Sequence, residues 1–226
     1  EQNKHPLSGP AIGTIVPTGD DNVLKEHYQQ NHYMMLAQAR AMALCHEMVP
    51  GGKIGPAPNI SAVYPASCKP EDITAADLFS SIRNWFYLDM AVYGIYNHQV
   101  MSYLRDHDAL PEIKEGDMEI LASGHPDFLA FNYYSTATVG AFPEGEEVRP
   151  DGPVDQQKNG GEPGYYRPFP NPNLLKTEWG WEIDPIGFRN TLNQVYSRYR
   201  LPIIITENGP GAHDKLEEDG TIRDDY

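Results

Sequence analysis

The residues best placed to do chemistry lie near the C-terminal end, in Ile203-Ile204-Ile205-Thr206-Glu207-Asn208-Gly209. Three consecutive isoleucines read as a strand buried on both faces, and Asn-Gly is a turn dipeptide. Glu207 is therefore expected at the very end of a strand. A carboxylate held there can attack an electrophilic carbon such as the anomeric carbon of a sugar. Retaining chemistry of that kind needs a second carboxyl group about 5–5.5 Å away, acting first as acid and then as base. A lone strand-end glutamate is more often solvated or salt-bridged, so the reading depends on what surrounds it.

The elements that must position Glu207 follow from periodicity. From about Asp21 to Glu47, Leu24, Tyr28, Met35, Leu36, Ala39, Met42 and Ala43 recur at helical spacing, with Asp21 or Asn22 as cap and Pro50-Gly51-Gly52 as stop. Lys53–Tyr64 is a strand candidate interrupted by prolines, and Ile73-Thr74-Ala75-Ala76-Asp77 opens a helix running to about Tyr96. Shorter helices are predicted near 98–106 and 115–123, and Asp127–Tyr133 is a compact apolar strand. Residues 136–180 form a long irregular stretch, of a length that is usually functional. Pro185–Arg200 is a helix with Ile186, Phe188, Leu192 and Val195 on one face, leading into the strand Leu201–Thr206. Helices precede strands throughout, and polar, aromatic loops follow the strands. That predicts an α/β fold with a parallel sheet, of the (β/α) barrel type, and Glu207 at its C-terminal rim.

Composition narrows the partners. The 226 residues are 40% apolar and 22% charged, with net charge −15. Such acidity argues against a nucleic-acid or anionic-membrane partner, and any anionic substrate must meet a local basic patch. No run of residues is apolar enough to span a membrane. Cys45 and Cys68 lack metal spacing and suggest no disulfide framework, which fits a reducing, cytoplasmic setting. His5, His32, His98, His125 and His213 show no metal-ligand spacing either, so no metal or cofactor is expected. The 14 Tyr, 7 Phe and 3 Trp suit either sugar stacking or a large core.

Three motifs narrow the reading further. Ile205-Thr206-Glu207-Asn208-Gly209 resembles the nucleophile motif of glycoside hydrolase family 1. Asp127-Phe128-Leu129-Ala130-Phe131-Asn132-Tyr133-Tyr134 resembles that family's DF(I/L)GxNYY strand, with Ala130 in place of glycine. Trp179-Gly180-Trp181-Glu182-Ile183-Asp184-Pro185 resembles its GWEI(Y/D)P loop. They stand in the family's order and cover essentially the whole chain. Trp179, Asp184 and the tail His213–Gly220 look most like the 6-phospho-β-glucosidase branch.

The resemblance implies a single incomplete TIM-barrel glycosidase domain over 1–226, a partial (β/α)8 barrel from about the end of strand four to strand seven. It implies that Glu207 is the nucleophile and that Glu1, in Glu1-Gln2-Asn3, is the acid/base glutamate of a TxNE motif. Tyr134 would donate a hydrogen bond to the nucleophile, Asn132 would lie near the sugar, and Trp179 would line the sugar site, while Trp181 could equally pack or bind. The implied substrate is a small β-glucoside or its 6-phosphate, hydrolysed by double displacement. A non-phospho β-glucosidase or a 6-phospho-β-galactosidase stays open, because the family's phosphate-reading Ser and Lys-x-Tyr have no counterpart here. The second reading is a catalytically dead partial barrel that binds carbohydrate or an assembly partner. A complete barrel needs about 250 residues, so these residues alone are expected not to turn over substrate. Uncovered sheet edges would call for another chain, a homo-oligomer included.

Overall fold

The computed structural model describes residues 22–146 and 161–223. Helix α1 spans Val23–Met48. Asn22 caps it by accepting from the Lys25 N–H, while its amide donates to the carbonyls of His107 and Asp108. Tyr28, His32, Met35, Ala39 and Met42 fall on the buried face. His32 is fully buried and has both ring nitrogens engaged. Its Nε2 lies 2.9 Å from the Asp117 carboxylate and its Nδ1 2.5 Å from the Tyr96 hydroxyl. That bond from His32 is the main reason the Asp117 carboxyl sits below its ordinary range.

The next helical run is α2 (Pro70–Ser80), a π-helical turn (Ser81–Trp85) and α3 (Phe86–Tyr93). It starts at Pro70 rather than at Ile73, because proline's missing N–H does no harm in a first turn. The π turn buries Ser81, Ile82, Arg83 and Asn84 in succession, which α-helical periodicity would not do. Asn84 uses this placement as a backbone mimic: its amide accepts from the Ser61 N–H at 3.1 Å and donates to the Ser61 carbonyl at 2.8 Å. Helices α4 (His98–Asp106) and α5 (Asp117–Ser123) follow, close to their expected positions.

Strand β2 (Leu129–Tyr133) lies at the centre. On one side runs the extended segment 54–60. The N–H groups of Asp127, Ala130 and Asn132 donate to the carbonyls of Ile54, Pro56 and Pro58, and Ile60 N–H returns one bond to Asn132. Pro56 and Pro58 have no N–H to return, so the pairing runs mostly one way. This is why the strand expected over 53–64 is regular only at β1 (Val63–Pro65), which pairs in parallel with β3 (Ala137–Gly140). Strand β4 (Arg167–Pro168) adds antiparallel to β3, and β5 (Leu175–Lys176) pairs with β6 (Glu182–Ile183), so part of the expected irregular stretch is ordered hairpin. Helix α6 (Pro185–Tyr199), capped by Asp184, leads to β7 (Ile203–Asn208), which pairs in parallel with β2.

One apolar cluster gathers around Phe79, Phe86, Leu104 and Tyr166, and a second around Leu88, Leu129, Phe131 and Val195. Ile203 and Ile205 pack on the second, but Ile204 is 45% exposed on the opposite face. The isoleucine run is thus buried on one face only: β7 pairs with β2 alone among the described residues, and the face carrying Ile204 is open. Ile186 is likewise exposed rather than on the packed face of α6. Buried Asp89 ties α3 to α6. It accepts from Arg198 Nε at 2.8 Å and Nη2 at 2.7 Å, from the Tyr199 hydroxyl at 2.8 Å, and from Asn97 at 3.1 Å.

Two expectations follow. Arg198→Leu strands the Asp89 carboxylate and should lower unfolding free energy by about 3 kcal/mol, against less than about 0.5 for Lys215→Leu in the exposed tail, both read by urea denaturation. Asp127 accepts from His46, the Ile54 N–H and Lys53, with His46 the largest influence, and its carboxyl is held well below the carboxylate range. A depressed folded-state pKa gives stability that is present above the unfolded value of about 3.9 and is lost as pH falls below it. Midpoints measured between pH 6 and 2.5 should therefore drop below about pH 4, and less steeply in Asp127→Asn.

Candidate active site

The pairing of β2 with β7 slips by one residue at a decisive place. Leu129, Ala130 and Phe131 face Ile203, Ile204 and Ile205, but Asn132 faces Glu207, leaving Thr206 as an extra residue. Residues paired across a sheet share a face. Without the slip Glu207 would pair with Tyr133, which points into the core beneath α6. The bulge turns Glu207 instead onto the open face it shares with Ala130 and Asn132, the re-aiming that bulges characteristically perform. Thr206 stays satisfied by donating to Asn132 Oδ1 at 2.6 Å, and Asn208 donates to the Tyr133 carbonyl at 2.6 Å.

Tyr134 follows β2 directly, in the irregular link before β3, so its side chain is free of the strand's alternation. Its hydroxyl donates to Glu207 Oε2. That bond, and then burial, push the Tyr134 phenol up to about 12. A phenol held protonated beside a carboxylate fixes the carboxylate's direction and stabilises its charge.

An aromatic wall completes the site. The Trp181 ring meets Tyr134 edge-on at 5.6 Å, Trp179 meets Trp181 at 5.4 Å and 88°, and His213 lies 5.8 Å from Trp179. Trp179 is half exposed. The loop is held from both sides: Thr177 N–H donates to the Trp181 carbonyl, Trp179 N–H to the Gly211 carbonyl, and Glu178 accepts from the His213 N–H. A Cβ at Gly211 would lie 2.6 Å from the Trp179 ring and 2.9 Å from the Trp181 ring, so only glycine lets the chain after β7 pass beneath both indoles.

Glu207, Tyr134 and Asn132 are thus brought together, Trp179 is linked to them through Trp181, and Glu1 lies outside the described residues. Sequence reasoning did not single out Thr206, Asn208 or Gly211, and it left Trp181 undecided although its ring touches Tyr134 directly. The extra strand residue has no local signature, but Asn-Gly after Glu207 marks where regular pairing ends.

The family model described as glycosyl hydrolase family 1 matches residues 6–226. Among curated proteins the chain is 42% identical to an aryl-phospho-β-D-glucosidase of Bacillus subtilis, over 89% of this chain and 43% of that protein. It is 38% identical to a phospho-cellobiase of Klebsiella oxytoca, over 97% of this chain and 44% of that one. A family 1 β-glucosidase from Thermotoga maritima superposes with a TM-score of 0.74 at 30% identity, over 92% of this chain and 43% of that one. The chain therefore spans under half the length of these relatives.

Gly211→Ala should displace the paired indoles. The expected result is an altered near-ultraviolet circular dichroism with unchanged far-ultraviolet signal, and a loss of about 1–3 kcal/mol from overpacking. An unaltered near-ultraviolet spectrum would show that the indoles do not rest on Gly211.

Proposed function

Since the chain belongs to glycosyl hydrolase family 1, we propose that it carries the nucleophile of a retaining β-glycosidase acting on 6-phospho-β-glucosides. The observation that carries this reading is Glu207 at the end of β7, turned to the open face by the bulge and bonded by the Tyr134 hydroxyl. In the proposed mechanism Glu207 attacks the anomeric carbon while Glu1 protonates the departing glycosidic oxygen. Glu1 then deprotonates a water that hydrolyses the glycosyl ester and frees Glu207. The Tyr134 bond aims Glu207, Asn132 would hold a sugar hydroxyl from the face it shares with Glu207, and Trp179 would offer its half-exposed ring to a pyranose face. The mechanism calls for no metal or cofactor.

The names of the two curated relatives support phosphorylated β-glucosides as the substrate class. Phosphorylated substrates, two free cysteines and the lack of any described helix long and apolar enough to cross a membrane fit a cytoplasmic enzyme. Within the barrel of the family, residues 1–226 correspond to one domain portion from the end of strand four to strand seven.

The test is hydrolysis of p-nitrophenyl β-glucoside and of its 6-phosphate by a complete family 1 barrel that includes these residues. Preferred turnover of the 6-phosphate is expected, with a loss of at least about a thousandfold in Glu207→Gln. Tyr134→Phe removes one hydrogen bond to a charged group, about 1.5–3 kcal/mol, and should lower kcat by about 10- to 100-fold. Undiminished turnover in Glu207→Gln removes Glu207 from the nucleophile's role, and preference for the unphosphorylated glucoside removes the phosphate.

A further inference from the structure

We propose that Asp184 is a positioning residue for the Tyr134–Glu207 pair, acting through Thr136. This deepens the proposed function, on which its importance for turnover rests. Asp184 caps α6, and its Oδ1 accepts from the Gly187 N–H at 2.7 Å. A cap needs only that one oxygen. The other, Oδ2, accepts from the Thr136 hydroxyl at 2.8 Å, and the Tyr64 phenol stands close enough to feel this carboxylate. Burial and then the influence of Asp184 push the Tyr64 phenol up to about 12. One carboxylate thus joins β1, the link between β2 and β3, and the start of α6.

The link is where this matters. Tyr134–Thr136 belongs to no strand, so no ladder determines where Tyr134 points. Its two ends are pinned instead. At the start, Asn208 holds the Tyr133 carbonyl at 2.6 Å. At the end, buried Thr136 is held by Asp184, with the Tyr133 hydroxyl 3.3 Å from the Thr136 Oγ1. Between these pins the Tyr134 side chain reaches Glu207. Asp184 also closes the segment that carries Trp181, whose ring stands against Tyr134. Both the backbone and the ring wall of Tyr134 therefore lead back to Asp184. The closeness is built in: a Cβ at Gly187 would lie 2.2 Å from Asp184 Oδ2 and 3.0 Å from the Thr136 hydroxyl oxygen.

Helix capping and positioning separate experimentally. Asp184→Ser keeps a good cap but has no second oxygen. Thr136→Val removes the hydroxyl and leaves the cap untouched, while Thr136→Ser restores the hydroxyl. The readout is Tyr134 ionisation, followed by NMR of ring-13C-tyrosine in the 226-residue chain and identified by loss of the signal in Tyr134→Phe. The wild-type residue, bonded to Glu207, should stay un-ionised to pH 11. In Asp184→Ser and Thr136→Val it should ionise at least one pH unit earlier, toward the ordinary tyrosine value of about 10, and Thr136→Ser should match wild type. A capping role alone would leave both the melting temperature of Asp184→Ser and the titration unmoved, because serine caps as well as aspartate, and that result would overturn the proposal. If Asp184→Ser fails to fold, Thr136→Val decides alone. The titration needs no substrate, so it fails or holds independently of the glycosidase reading, which the turnover assay judges.

Discussion

The structure depends most on the parallel pairing of β2 with β7 and on the one-residue slip within it. Side-chain direction along a strand has period two, so one extra residue exchanges every later side chain between faces. Before the slip the register sends Phe131 and Ile205 under α6 to build the apolar cluster. After it the register delivers Asn132 and Glu207 to the open face. Packing and site thus come from one strand pair, separated by Thr206. The irregularity is tolerated because Thr206 and Asn208 both hydrogen-bond back to β2.

Carboxylates, one buried and two partly buried, hold the surrounding elements in place. Asp89 joins α3 to α6, Asp117 joins α5 to α1 through His32, and Asp184 joins α6 to β1 and the β2–β3 link. Each accepts from several donors at once. That is the condition under which a carboxylate withdrawn from water stabilises a fold instead of weakening it. An acidic chain has carboxylates to spare, and here some of them work inside the molecule as fasteners between segments far apart in sequence.

Much of this was legible beforehand, and the reasons for the rest are physical. Helices α1 and α6 declared themselves by period and caps, β2 by its apolar run, and Glu207 by strand, carboxylate and turn in succession. Tyr134, Asn132 and Trp179 came into view through family likeness, not through local chemistry. The two-sided burial expected of the isoleucine run is not met because burial depends on neighbours, and among the described residues nothing covers Ile204. The strand at 53–64 was blurred because Pro56 and Pro58 accept hydrogen bonds without returning them. The π turn, the bulge and the reach of Asp184 arise from long-range contacts, which no local pattern records.

The Tyr134–Glu207 contact also says something about the birth of the molecule. The two residues are 73 positions apart. At a synthesis rate of about 5–20 residues per second, the tyrosine leaves the ribosome roughly 4–15 seconds before its carboxylate exists. During that interval β2 can align with the proline-bearing segment already made, whose fixed torsions leave it extended and inexpensive to order. The side of β2 that awaits β7 stays bare. The aromatic loop and α6 must both be made before that side is covered. The Glu207 end of the sheet thus closes only after those segments exist, and the nascent chain carries an open strand edge until β7 arrives.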